Sequence, residues 1–238
     1  MPTELFDTEE WEEKIKNPFW YDEAPQLIDA MAALCLHDRA EANKLKEAIY
    51  SFFDRKLKEG KVALGSCGKK WNQDRKPIDT IILHHTSNPE GLSRDRLSAI
   101  ELIRLYAPAY AKRKKREPIY SDHVRDGKQV FWPYHWLIRA DGTCERLLND
   151  HEIGWQAGDW DINCRSVAIC IDDNHQHSVP DKNELKTIAE LIRNNYPQVS
   201  KERIFGHREV NPKTTCPSDL FLSTAERRGW KEDLLELI

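Results

Sequence analysis

The hydrophobic positions in the first quarter of the chain follow helical spacing. Apolar side chains recur at three- and four-residue steps up to about residue 62; they include Trp11, Ile15, Leu27, Met31, Leu45, Ile49, Phe52 and Phe53. This period gathers them on one face of each helix. The pattern therefore predicts a small helical unit at the start of the sequence.

The pattern changes near residue 76, where short apolar runs begin to alternate with helical spacing. The segment 65–77 concentrates Gly, polar residues and a closing Pro, which predicts a linker. Beyond it, the runs 80–84, 136–139, 144–148, 167–171 and 204–205 predict strands, and the segments 97–106 and 185–196 predict helices. Strands that alternate with helices predict an α/β domain with a mixed central sheet flanked by helices. We thus expect a helical region with its linker at 1–75 and the α/β domain at 76–238.

Composition and charge narrow the classes of partner. The chain of 238 residues carries 36 Lys and Arg against 40 Asp and Glu, a formal charge of -4, so no nucleic-acid partner is expected. No apolar run approaches the roughly 20 residues that span a bilayer. The first residues, MPTELFDTEE, are acidic where a secretory signal is basic, which predicts a cytoplasmic product as synthesised. Release by a non-Sec route stays open, and the six cysteines are expected to be reduced thiols, with the exception of a candidate metal ligand described below.

Candidate metal ligands occur at the ends of two predicted strands and in a later loop. The pair His84-His85 ends one predicted strand, and His207 ends another. Cys216 lies nine residues beyond His207 and directly precedes a proline. Two imidazoles and one thiolate suit a tetrahedral zinc that keeps a position free for water. Neighbours on a strand face opposite sides, so only one residue of the histidine pair is expected to reach the metal.

Several motifs, taken together, resemble a known family, the zinc-dependent N-acetylmuramoyl-L-alanine amidases of type 2, which include the peptidoglycan recognition proteins and small phage lysozyme-amidases. The resemblance covers roughly residues 78–222 and follows the family's order. Its motifs are Leu83 to Thr86 (LHHT), Tyr134 to Ile138 (YHWLI), Asp141 to Thr143 (DGT), Ile153 to Gly158 (IGWQAG), Asn163 to Ile169 (NCRSVAI), Gly206 to Glu209 (GHRE) and Thr214 to Pro217 (TTCP). The family's mixed sheet, with zinc in a cleft at the sheet edge, is what the resemblance implies.

The resemblance also implies roles for individual residues. The zinc ligands would be His84, His207 and Cys216, with one zinc ion per chain. Tyr134 matches the catalytic tyrosine of the phage and recognition-protein branches. Thr214 matches a second catalytic position that holds Lys or Thr in the family, and Lys213 is its neighbour. Because all three ligands are present, the resemblance favours hydrolysis over recognition alone.

The expected substrate is peptidoglycan or its muropeptide fragments, cut at the amide bond between N-acetylmuramic acid and L-alanine. The expected substrate contacts are Trp155, Gln156 and Arg208, although Gln156 stands where the family commonly has His. One hypothesis is an endolysin-like enzyme that is released to the cell wall by a non-Sec route and acts on the whole wall. The alternative function is a module that binds muropeptides without cutting them. Residues 1–75 are expected either to dock a partner or to pack on the catalytic domain.

Overall fold

The computed structural model describes residues 8–86 and 97–238. Residues 1–7 of the predicted helical region and residues 87–96 of the predicted α/β domain lie outside the described residues. The described chain forms two compact units: unit 1 comprises residues 8–70 and 97–131, and unit 2 comprises residues 71–86 and 132–238. Across these described ranges, no helix combines the length and the apolar character that crossing a bilayer requires.

Unit 1 is built mainly of helices. Its elements are α1 (Thr8–Lys14), a 3-10 helix (Trp20–Glu23), α2 (Ala24–His37), α3 (Arg39–Lys58), α4 (Leu97–Glu101), a π-helix (Leu102–Tyr106), α5 (Ala107–Ala111) and the short antiparallel strands β2 (Val124–Arg125) and β3 (Lys128–Gln129). The side chain of Asp38 accepts a hydrogen bond from the N–H of Glu41 at 3.0 Å, which caps α3 and separates it from α2. The helix predicted at 97–106 is thus present, but it is α-helical only as far as Glu101.

The core of unit 1 joins the amino-terminal helices to residues 97–131. Phe53 is fully buried and its ring lies against those of Trp11 and Trp20, at centroid distances of 5.8 and 5.1 Å. The hydroxyl of Tyr21 donates to the carbonyl of Glu117 at 2.8 Å. Residues 97–131 therefore pack with the amino-terminal helices, which a division of the chain between residues 75 and 76 does not anticipate. The domain boundary itself stays a prediction.

Unit 2 contains a five-stranded mixed sheet. Its elements are a 3-10 helix (Trp71–Asp74), β1 (Thr80–His85), β4 (Trp136–Ile138), β5 (Cys144–Arg146), α6 (Trp160–Arg165), β6 (Ser166–Ile171), α7 (Lys182–Asn195), a 3-10 helix (Lys201–Arg203), β7 (Ile204–Gly206), α8 (His207–Val210) and α9 (Trp230–Leu237). The strand order is β5-β4-β6-β1-β7, and β5 alone runs antiparallel to its neighbour. The predicted fold class, a mixed sheet flanked by helices with additional amino-terminal helices, is confirmed.

The central strands β1 and β6 are buried along their whole length, which explains their continuous apolar sequences. Ile81 and Leu83 of β1 belong to the core that β6, α7 and α9 complete. Successive side chains of a strand point to opposite faces, so His84 lies on the other face of the sheet and His85 on the α7 face. The N–H of His175 accordingly donates to Nδ1 of His85 at 3.0 Å.

Two local predictions have different outcomes. The Asp141-Gly142 hairpin is confirmed, because β4 and β5 pair antiparallel and Gly142 takes a positive φ of 80°. The second half of the segment predicted as a linker, 65–77, packs as part of unit 2. There the guanidinium of Arg75 donates to the carbonyls of Asp150 and Ser166 at 2.7 and 2.8 Å. All six cysteines are free thiols, as expected.

Candidate metal centre and active site

Two of the proposed ligands come from neighbouring parallel strands. β1 pairs with β7 so that Leu83 lies opposite Gly206, and His84 and His207 each follow by one residue. The carboxyl ends of parallel strands meet at one edge of a sheet, which brings the two imidazoles together. A side chain at Gly206 would approach the ring of Phe221 to 2.4 Å, so glycine permits the close packing at this turn.

The third proposed ligand, Cys216, lies in a loop that folds back over the start of α8. The N–H of Arg208 donates to the carbonyl of Cys216 at 2.8 Å, and the N–H of Cys216 donates to the hydroxyl oxygen of Thr214 at 3.1 Å. The peptide bond between Cys216 and Pro217 is cis. These contacts fix the loop so that the thiol turns toward His84.

The donor atoms of His84, His207 and Cys216 all lie within 4.8 Å of one another. Nδ1 of His84 is 3.7 Å from Sγ of Cys216, and the centroids of the two imidazole rings are 4.7 Å apart. His84 is 1% exposed, whereas His207 and Cys216 are half-buried, so the group is open on one side. Two imidazoles and a thiol at this spacing are a donor set that suits zinc and leaves a coordination position for solvent or substrate.

The electrostatic environment favours the neutral form of both imidazoles. Burial, followed by the nearby ring of His207, holds the pKa of His84 well below its ordinary value. Burial also lowers the pKa of His207, although its hydrogen bond to the carbonyl of Ala157 acts in the opposite direction. A neutral imidazole keeps the lone pair that a metal ligand needs.

Tyr134 lies beside the proposed ligands. Its ring centroid is 5.0 Å from that of His84, and its side chain is half-buried. The adjacent His135 is fully buried: Nδ1 accepts from the N–H of Ala168 at 3.1 Å, and Nε2 lies 3.0 Å from the carbonyl oxygen of Glu152. His135 thereby ties the Tyr134 segment to β6. No role was predicted for His135, and its place in the YHWLI motif was the one signal in the sequence.

The remaining predicted catalytic residues lie in the same loop as Cys216. The hydroxyl of Thr214 is half-buried and adjoins the main chain of Cys216. Lys213 is exposed, and its N–H donates to the side-chain oxygen of Asn211 at 3.1 Å. The structure therefore places the hydroxyl of Thr214 against the main chain of Cys216, while the side chain of Lys213 is exposed.

The predicted substrate contacts lie in three different settings. Trp155 is half-buried, with its ring edge-on to Trp71 at a centroid distance of 4.9 Å. Arg208 donates from Nη1 to the carbonyl of Ser218 at 2.8 Å, so its guanidinium supports the Cys216 loop. Gln156 is 6% exposed and its side-chain oxygen lies 2.6 Å from Nε2 of His84. The buried side chain of Gln156 therefore faces His84, a position that does not favour a contact with substrate.

Glu209, the last residue of the GHRE motif, makes two contacts at the start of α8. Its carboxylate accepts from the N–H of Gly206 at 2.8 Å, which satisfies a free donor at the start of α8. It also pairs with the ammonium of Lys231 at 2.8 Å. Glu209 thus holds the turn that carries His207.

A mixed sheet with two histidines and a cysteine gathered at one edge defines an α/β protein with a candidate metal centre. The sequence model of the family described as N-acetylmuramoyl-L-alanine amidase matches residues 74–219, more than half of the chain. The chain belongs to this family, which confirms the resemblance drawn from the motifs.

Individual proteins that resemble this chain share a quarter or less of their aligned residues with it. The 1,6-anhydro-N-acetylmuramyl-L-alanine amidase AmpD of Haemophilus influenzae is 25% identical over 107 residues, which are 42% of this chain and 58% of that protein. The matched segment thus spans less than two thirds of that relative. Among solved structures, the amidase LysC from Clostridium intestinale is 20% identical with a TM-score of 0.44, covering 65% of this chain and 83% of its own. The Drosophila peptidoglycan recognition protein SD is 21% identical with a TM-score of 0.39, covering 63% and 85%.

Proposed function

We propose that this chain hydrolyses the amide bond between N-acetylmuramic acid and L-alanine in peptidoglycan or muropeptides, with one zinc ion held by His84, His207 and Cys216. The observation that most supports the proposal is the convergence of these three donor atoms within 4.8 Å, although the residues are up to 132 positions apart in sequence. Family membership supports the same reaction.

Each proposed ligand makes a different contribution to binding the metal. Zinc in such a site acts as a Lewis acid toward the scissile carbonyl and supplies a nucleophile near neutral pH. His84, buried and neutral, offers a fixed lone pair from the sheet edge. Cys216 offers a thiolate from the loop. The half-buried side chains of His207 and Cys216 leave the open side from which substrate would enter.

Tyr134 is the proposed donor to the oxyanion. Its ring packs 5.0 Å from that of His84, so the hydroxyl can be placed beside a carbonyl that approaches the ligand group. Donating a hydrogen bond to an oxygen that gains negative charge stabilises the transition state more than the ground state. The proposed role of Tyr134 is therefore catalytic.

Thr214 and Lys213 are the proposed helpers on the other side of Cys216. The hydroxyl oxygen of Thr214 accepts from the N–H of Cys216, and its own proton is then directed away from that N–H. It could donate to substrate while it holds the loop. Lys213 is exposed and could supply a positive charge or a proton near the leaving amine. Trp155 and Arg208 are proposed at most to border the substrate, since each already has a packing or loop contact.

A hydrolysis assay tests the proposal. The purified chain is incubated with intact sacculi and, separately, with soluble anhydro-muropeptides, and released stem peptide is identified by mass spectrometry. We expect product from at least one substrate, loss of product after chelation and recovery on addition of zinc. Full activity of metal-free protein would overturn the zinc site, and saturable muropeptide binding without product would favour the recognition module.

Within unit 1, residues 8–70 have a proposed role in stabilising residues 97–131. The contacts of Tyr21 with Glu117 and of its ring with Tyr110, at a centroid distance of 5.9 Å, support this role within unit 1. Docking of a partner by the same helices remains a proposal. A fragment of residues 76–238 that is soluble and cooperatively folded would contradict the stabilising role.

A further inference from the structure

The amide of Gln156 bridges His84 to the start of β6. Its oxygen Oε1 lies 2.6 Å from Nε2 of His84, and its nitrogen Nε2 donates to the hydroxyl oxygen of Ser166 at 2.9 Å. His84 is 1% exposed, Gln156 is 6% exposed and Ser166 is fully buried. The bridge is thus closed to solvent, and both polar ends of the amide have partners.

The chemistry of the amide determines which imidazole nitrogen carries the proton. A carbonyl oxygen only accepts, so a hydrogen bond at Oε1 requires the proton on Nε2 of His84. In a neutral ring this leaves the lone pair on Nδ1. Nδ1 is the atom that lies 3.7 Å from Sγ of Cys216 and faces the proposed metal. The orientation of Gln156 therefore matches the tautomer that a metal ligand needs.

The segment that carries Gln156 is itself held firmly. The side-chain oxygen of Asn163 accepts from the N–H groups of both Gln156 and Ala157, at 3.2 and 2.8 Å. At Gly154 an added side chain would come within 2.0 Å of the carbonyl oxygen of Pro133, so the two chain segments are in close contact. The main chain at Gln156 is fixed by these contacts, and the amide has a partner at each end. The Gln156 side chain therefore has little freedom to turn.

The same segment also contacts the second histidine. His207 hydrogen bonds to the carbonyl of Ala157, which directly follows Gln156. One stretch of chain therefore orients both imidazoles, but by different means. His84 contacts a side chain that a substitution can remove. His207 contacts a main-chain oxygen, and its Nε2 also lies 3.4 Å from the amide nitrogen of Asn211.

We propose that Gln156 is a positioning residue for the metal centre: its carbonyl oxygen holds His84 in the Nε2-protonated tautomer and aims Nδ1 at the metal, while Ser166 fixes the amide from the other end. The proposal rests on the proposed function, because it assumes that His84 is a ligand. It replaces the expectation that Gln156 contacts substrate.

Zinc affinity, measured by competition with a chromogenic chelator, tests the proposal without any assay of turnover. Removing the partner of a ligating histidine weakens metal binding by about 10- to 100-fold in comparable sites. We expect that loss for Gln156→Leu, which keeps the volume but loses the acceptor. Gln156→Glu keeps an acceptor oxygen and should bind zinc within a few-fold of the original chain, or more tightly.

The matched control is Gln129→Leu. Gln129 also bridges two groups, since its nitrogen donates to the carbonyl of Gly65 at 2.7 Å and its oxygen accepts from the N–H of Ser121 at 2.7 Å. None of these residues is a proposed ligand, so the control should leave zinc affinity unchanged. Equal zinc affinity of Gln156→Leu and the original chain would overturn the proposal, and so would equal losses in the Leu and Glu variants.

A second measurement keeps the proposal testable if Gln156→Leu fails to fold. Long-range nitrogen–proton NMR on the metal-free, unsubstituted chain reports which nitrogen of His84 is protonated. The proposal expects the proton on Nε2, and a proton on Nδ1 would overturn it. If the unsubstituted chain binds no zinc but shows the Nε2 tautomer, the proposed function fails while the orienting contact of Gln156 stands.

Discussion

The two compact units differ in whether their described residues bring metal-ligating side chains together. The core of unit 1 is built around aromatic rings such as Phe53, Trp11 and Trp20. Unit 2 has an apolar core on one face of its sheet and buried polar groups at one edge, among them His84 and Gln156. Among the described residues, the one group of side chains suited to hold a metal lies in unit 2. Stability and chemistry should therefore respond to substitutions at different positions.

The largest expected effect is that of His84→Ala. Loss of a ligand from a three-ligand site should abolish both zinc binding and turnover, while the sheet, whose apolar core on the α7 face is unaltered, stays folded. Zinc per chain by elemental analysis, stem-peptide release and circular dichroism measure the three quantities. The exposed His151 provides the control, because His151→Ala should keep one zinc per chain. A His84→Ala protein that keeps zinc and activity would remove His84 from the site.

A substitution in the core of unit 1 should act on stability alone. Phe53→Ala removes a fully buried ring from contact with Trp11 and Trp20, and such truncations destabilise by about 3–5 kcal/mol. Urea unfolding measures the loss, and chelator competition below the unfolding transition should give an unchanged zinc affinity. Leu36 is 83% exposed, so Leu36→Ala should shift stability by no more than about 0.5 kcal/mol. A stable Phe53→Ala protein with weakened zinc binding would contradict the separation of roles.

The sheet and the proposed ligands at its edge were predictable because local pattern and position coincide there. Continuous apolar runs predict buried strands, and the ends of parallel strands gather at one edge. The positions of the His84-His85 pair and of His207 follow from these rules, and strand alternation predicts that only one residue of the pair reaches the metal. The resemblance to the family selected His84 from the pair. The motif around Cys216 supplied the third member, since no periodicity indicates where a loop returns.

Contacts across long sequence separations were not predictable from the same pattern. Apolar spacing shows that a helix has a face to bury, but it does not identify the partner, so the packing of residues 97–131 with the amino-terminal helices was missed. Gln156 meets His84 across 72 positions, and a lone polar residue gives no signal of such a contact. Arg75 was assigned to a linker because polar residues surround it, although its guanidinium donates to the carbonyls of Asp150 and Ser166.

Tyr134→Phe should separate catalysis from metal binding within unit 2. The variant keeps the ring that packs on His84 but loses the proposed oxyanion donor, so kcat should fall by roughly 100- to 1,000-fold. Zinc affinity should stay unchanged, since no proposed ligand is altered. Tyr120→Phe, which removes a hydroxyl in unit 1, is the matched control and should keep the original rate. An unchanged kcat for Tyr134→Phe would exclude Tyr134 as the donor.

The smallest expected effect tests whether unit 2 also has positions that contribute to stability alone. Asp181 caps α7: its side chain accepts from the N–H groups of Asn183 and Glu184 at 2.7 and 2.8 Å, and the Glu184 carboxylate accepts in return from the N–H of Asp181 at 2.8 Å. Asp181→Ala should lower the free energy of unfolding by about 1 kcal/mol, whereas Asp181→Asn retains a capping oxygen and should lose less.

Zinc affinity and kcat should be unchanged in both Asp181 variants, because α7 covers the face of the sheet opposite to His84. Urea unfolding, chelator competition and the hydrolysis assay measure the three quantities on the same preparations. A zinc affinity that falls together with stability would mean that the sheet transmits a change at α7 to the ligand edge. In that case a substitution on the α7 face would affect metal binding as well as stability. The two effects would be less separate within unit 2 than between the two units.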